Sequence, residues 1–245
     1  MPACLASEAT KLGRTREAPW TVPPSQISAS ATSSTGRCAP TPPGSPNSSP
    51  RTPADDGRLH ALAGWYARYE GAIHDHHHAE EWVVYPALLE RDPSFAEADG
   101  HLEGQHQVLA DRLQVTRESL TGLAGAAGGG HWEREKEEAA KAAVALKAIV
   151  DTHTGDEEAV AFPRYSAHFT AAEYTGLNKA AFKQIGMRSF LFAGPWVLDH
   201  ATPGERAELL GEQPLLLRVI YRLALKPRYQ RLVRPLGVAS QPARP

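Results

Sequence analysis

The sequence predicts an all-α fold, an antiparallel helical bundle with a helical C-terminal extension. Three observations carry this expectation. Long stretches over 58–91, 94–123 and 132–162 repeat apolar residues at helical spacing. Sharp breaks separate them, first Asp92-Pro93-Ser94 and then the glycine-rich run GLAGAAGGG over 122–130. No segment alternates apolar and polar residues with hairpin turns, so nothing reads as a sheet.

Each element follows from its residues. In the first stretch Leu62, Trp65, Tyr66, Tyr69, Ala72, Ile73, Val83, Val84 and Ala87 fall on one side of a helix turning about 100° per residue. In the second, Leu102, Leu109, Leu113 and Leu120 line up. In the third, Ala139, Ala142, Leu146, Ile149, Val150 and Val160 do so, and Glu133, Glu135, Glu137 and Glu138 sit in its first turns, where the helix dipole favours acid. Beyond Pro163 shorter helices are expected over 170–186, 187–199, 203–210 and 215–225.

The ends of the chain differ from its middle. Ten of the 20 prolines lie in residues 1–53, mixed with Ser, Thr and Gly, and such text buries too little apolar surface to offset its ordering entropy. Residues 1–56 are therefore expected to be disordered. Their prolines also spoil the amphipathic helix of a transit peptide. Residues 57–170 form the bundle, and 171–245 form a helical extension with a basic tail. Within 216–238, Arg218, Arg222, Lys226, Arg228, Arg231 and Arg234 stand without any acid among Leu, Val, Ile and Tyr. A segment of this kind can lie on an anionic membrane surface or meet an acidic partner; the simpler alternative is a helix packed on the bundle with solvated arginines.

Composition narrows the function. A net charge of −2 gives no global reason to expect a nucleic-acid partner. Cys4 and Cys38 stand far from the His-rich stretches, which excludes a Cys/His zinc finger and makes a reducing cytoplasm the expected compartment. No apolar run is long enough to span a membrane.

The chemistry is carried by 11 histidines, none before His60. The segment HHHAEEWVVYP over 76–86 aligns without gaps on HTGDEEAVAFP over 153–163, and both read H-x3-E-E-x-V-x-aromatic-P. An imidazole and a carboxylate four residues apart lie one turn apart on one helix face and can reach a common ion. Helical phase puts His76 and Glu80, and likewise His153 and Glu157, among the apolar residues of their helices. His77, Glu81 and Glu158 fall about 100–140° from those positions and are flanking. His106 lies with Leu102, Leu109 and Leu113, whereas His101 is about 100° away and should be exposed. His60, His74 and His78 are off-phase, and His131, His168 and His200 read as surface or helix-end residues. One such cluster could be ordinary surface composition. Two buried His-Glu pairs in matching positions are costly unless paired or metal-bound, and so point to a metal.

These residues resemble the hemerythrin-like HHE cation-binding family, in its bacterial branch. The matching motifs are His76-His77-x-x-Glu80-Glu81 followed by Tyr85-Pro86, the lone His106, and His153-x3-Glu157-Glu158 followed by Phe162-Pro163. The resemblance covers about 58–170 and implies a four-helix bundle around a non-haem di-iron centre. It further implies that Glu80 and Glu157 bridge the irons and that His76, His106 and His153 are terminal ligands. His77 is a reserve ligand in case the first helix is rotated, and Glu81 and Glu158 are the flanking metal candidates. The implied ligand is O2 or another small diatomic molecule, in binding, sensing or iron and redox handling. Peroxide- or nitric-oxide-consuming enzymes and a metal-poor interaction module are the alternative readings, with Tyr66 and Tyr69 as the redox-active candidates in an enzyme. One departure stands out: the family's bundle opens with another helix bearing a further His, and here Pro/Ser-rich text occupies that place. An open coordination position, a substitute helix from 170–200, or upstream text from a shifted reading frame would each account for it.

Overall fold

The computed structural model describes residues 53–126, 130–211 and 213–237, and these are helical, with no strand among them. Helix α1 (Pro53–Ala79) runs into a five-residue π-helical turn (Glu80–Val84) and then α2 (Tyr85–Arg91). A 3-10 turn at Pro93–Phe95 leads to α3 (Ala96–Gly125), and α4 follows over Trp132–His168. The extension comprises α5 (Ala171–Gln184), α6 (Met187–His200), α7 (Pro203–Gly211), α8 (Leu215–Ile220), a second π turn (Tyr221–Leu225) and α9 (Lys226–Val233).

Several boundaries differ from the expected ones for physical reasons. Helix α1 opens at Pro53, inside the stretch expected to be disordered; Pro at a first helical position has no N–H to leave unsatisfied. The rest of that stretch, residues 1–52, lies outside the described residues. The single helix expected over 58–91 is interrupted by the π turn, closed by the Tyr85 N–H donating to the Glu80 carbonyl immediately before Pro86, which has no N–H of its own. Helix α4 passes through Pro163 to His168 instead of ending at 162. At its far end Asp92 caps the 3-10 turn through Ser94, and Arg164 reaches back to Asp92 at 3.1 Å.

Neighbouring helices are antiparallel. As residue numbers rise along α3 they fall along α4: Gln105 meets His153, the Thr116 hydroxyl meets the Ala142 carbonyl, and Gly122 lies against Glu135. Helix α6 runs antiparallel to α1 in the same way, with Trp65 against Trp196 and the Gly186 N–H donating to Asp75 at 2.9 Å. Among the described residues it is therefore α6, from the extension, that lies along α1 and completes the core. Its Phe192 and Trp196 are buried against Trp65 and Tyr69 with edge-to-face geometry.

Apolar burial divides into two clusters. One joins Leu62, Trp65, Tyr66 and Tyr69 of α1 to Leu109 and Leu113 of α3, Leu146 and Val150 of α4, and Phe192 and Trp196 of α6. The other holds Tyr85, Leu88, Phe95, Leu102, Ala161 and Tyr165. Between them, on every one of α1, α3 and α4, the sequence places buried polar residues.

Candidate metal centre

Among the described residues nine polar or charged side chains are buried, and six of them meet in this gap: His76, His77 and Glu80 from α1 and its π turn, His106 from α3, and His153 and Glu157 from α4. On α1 they follow Ala72 and precede Tyr85; on α3 His106 stands between Leu102 and Leu109; on α4 the pair stands between Val150 and Ala161. Apolar side chains thus wall the group on both sides along the bundle.

The six residues form two overlapping sets that share Glu80. His77, Glu80, His106 and His153 each offer one ligand-type atom within 4.8 Å of the others, and His76, Glu80 and Glu157 do the same. His76 Nε2 lies 3.2 Å from Glu80 Oε1, and His106 Nε2 lies 3.6 Å from Glu80 Oε2. The His77 and His106 rings stack with centroids 4.0 Å apart, and His153 stands edge-on to His106 at 4.8 Å.

Hydrogen bonds on the outer side of the rings decide which nitrogens point inward. A carboxylate only accepts, so His106 Nδ1–H donates to Glu81 Oε1, at 2.7 Å. Gln105 donates its amide N–H to Asp156 at 2.6 Å, which leaves its carbonyl oxygen to accept from His153 Nδ1–H at 3.1 Å. Both Nε2 atoms then carry free lone pairs. His106 Nε2, His153 Nε2, His76 Nδ1 and Glu80 Oε2 are all buried without a hydrogen-bond partner. Each such orphan costs about 1–3 kcal/mol, and a cation held by the first set would satisfy His106 Nε2, His153 Nε2 and Glu80 Oε2. An imidazole and carboxylate set without thiolate suits iron as well as other borderline metals.

Electrostatics agree with this reading. Burial holds the imidazole of His76 down to about 3, helped by His153 and His106; it lowers His106 to about 4 and His153 to about 3, and it lowers His77 as well. These rings are neutral, the form that binds metal. Burial raises the Glu80 carboxyl well above its ordinary range, and the neighbouring Glu157 raises it further; Glu157 is itself raised by burial. The site lacks positive charge for its two carboxyls.

The structure brings together His76, Glu80, His106, His153 and Glu157, the five core-facing residues. His77 joins them although its phase made it flanking. Helix α1 is covered by α3, α5, α6 and α9 together, so its buried arc is wider than one apolar stripe. Glu81 lies at the edge, its side chain 28% exposed, and touches His106 from outside. Glu158 is exposed and stands outside the cluster. His101 is exposed and bonds Asp156. Gln105 is the residue that sequence reasoning missed. Its only signal was a polar side chain beside His106 on the face turned to α4.

The fold and cluster define a helical bundle protein with a buried site of cation-ligand type. Residues 46–165 match the model of the hemerythrin HHE cation binding domain, and the chain belongs to that family over this stretch. Searches of curated proteins and of solved structures gave no match.

Proposed function

We propose that this chain is a non-haem di-iron protein that binds O2 or another small diatomic ligand, in sensing or in iron and redox handling. The observation that supports it is the position of Glu80, shared by two sets of buried ligand-type atoms, as a carboxylate between two cations must be. His77, His106 and His153 would hold one ion, His76 and Glu157 the other, with Glu80 common to both. Glu81 and Glu158 are then not ligands. Iron, when bound, would supply redox chemistry toward diatomic molecules that no side chain here provides.

The chain's own part is orientation and exclusion of water. Glu81 and Gln105 hold the His106 and His153 rings by Nδ1, a device that also makes the ring a better ligand. Leu102 and Tyr85 on one side, and Tyr69 and Leu146 on the other, are at most 1% exposed. Their aliphatic and ring surface favours a small uncharged ligand over an ion.

The test is anaerobic reconstitution with ferrous iron. Two irons per chain and near-ultraviolet absorption bands that change on admitting O2 are expected. His153→Ala and Glu157→Ala should lose metal, and His78→Ala should keep it. Protein that retains no iron after reconstitution would overturn the reading.

A further inference from the structure

We infer that the C-terminal helix over 215–233 is a docking surface for an anionic lipid bilayer, on which the bundle lies without insertion. Four registers at four-residue spacing define this helix. Tyr221, Leu225 and Tyr229 are buried; Tyr229 packs against Phe192 of α6, so this stripe faces the bundle. Leu215, Val219 and Leu223 are exposed, as are Leu216 and Ile220, with Leu223 at 76% and Leu216 at 70%. Arg218, Arg222 and Lys226 run along the edge between the two.

A helix packed on a core normally turns a polar face to water. Here the face opposite the packed stripe is aliphatic, and five large side chains are presented side by side. The π turn over Tyr221–Leu225 matters for the geometry. Four-residue spacing drifts around an ordinary α-helix by about 40° per step, and a wider turn takes up that drift, so each register stays on its own side.

Charge selects the occupant. The segment 213–237 contains no acidic residue, and Arg222, Lys226, Arg228, Arg231 and Arg234 are exposed. Arg218 is engaged with the carbonyls of Gln213 and Gly211, which ties the start of the helix to the loop before it. A second copy would bring these cations together without a counter-charge. An anionic bilayer surface instead accepts the aliphatic face between its headgroups and the flanking cations at the phosphate level. No helix among the described residues is long and apolar enough to cross a membrane, and the proposed contact needs none.

Vesicle co-sedimentation of the full chain tests this. Two vesicle types serve: phosphatidylcholine alone, and phosphatidylcholine with roughly one quarter phosphatidylserine. Binding to the anionic vesicles is expected, weakening as salt rises and much weaker on phosphatidylcholine alone. Arg222→Glu with Lys226→Glu should lower partitioning by about tenfold or more, and Leu216→Ser with Leu223→Ser should abolish it. These side chains are exposed, so unchanged helical circular dichroism is expected for all variants. Wild-type protein that leaves anionic vesicles unbound overturns the proposal. So does retention of binding by the leucine variant, or a dimer in size-exclusion chromatography that this variant converts to monomer. Iron loading is independent of every outcome.

Discussion

Glu81 holds His106 from outside the cluster: its Oε1 accepts from Nδ1–H at 2.7 Å, leaving the ring's Nε2 3.6 Å from Glu80 Oε2. Two adjacent glutamates thus serve one histidine in different ways. Glu80 shares the inner space with its Nε2, and Glu81 sets the tautomer that frees that Nε2.

Replacing Glu81 by Ala should therefore lower metal affinity without removing a ligand. Loss of an outer partner of this type costs about 10- to 100-fold in affinity. Competition with a chromophoric chelator measures it, with Glu158→Ala as the comparison expected to match wild type. Equal loss in both variants would show that Glu81 acts only through general charge.

Glu80→Gln should act in opposite directions on the loaded and metal-free protein. It removes the carboxylate common to both ligand sets, so iron retention should fall below one ion per chain by metal analysis. It also removes a buried acid whose charge is unfavourable there, so the metal-free variant should melt no lower than metal-free wild type. A clear drop in its melting temperature would mean that Glu80 is chiefly structural.

Acid should destabilise the metal-free protein. The buried imidazoles of His76, His106 and His153 stay neutral down to about 3–4, whereas the unfolded chain protonates them below about 6.5. The unfolded state then binds more protons, and stability falls as pH drops through that window. Glu80 and Glu157 have the opposite sign, because their raised values favour the folded state at low pH and that contribution is lost as pH rises above about 4.5. Four lowered imidazoles, His77 included, outnumber two carboxyls. The melting temperature should be lower near pH 5 than near pH 7. A flat profile would contradict the burial of the cluster.

Trp196→Ala tests the role of α6. Trp196 is 3% exposed and meets Trp65, Tyr69 and Phe192. Its truncation should cost about 3–5 kcal/mol in chemical denaturation, in line with buried aromatic residues. A cost below about 1 kcal/mol, typical of surface positions, would mean that the extension does not complete the core.

Much of the site was legible because its residues repeat. The two H-x3-E-E motifs carry the same helical phase relative to their apolar neighbours, and that phase separated Glu80 and Glu157, now buried, from Glu158, now exposed. The same reasoning set His77 aside. Phase locates a residue relative to one stripe, and α1 is covered from several directions. Gln105 could not be found in this way, since its part depends on the rotation of α4 that brings His153 and Asp156 to it.

By itself, then, the sequence determined the helices, the breaks between them and the pairs able to share an ion, since periodicity and spacing are local properties of a chain. Only the tertiary structure decided that Glu80 is shared by two sets of buried ligand-type atoms, that Glu81 and Gln105 orient two of the rings, and that α6 lies along α1. Each of these is a meeting of residues from different helices, set by how side chains from several elements fill one interior, and no spacing along the chain encodes it.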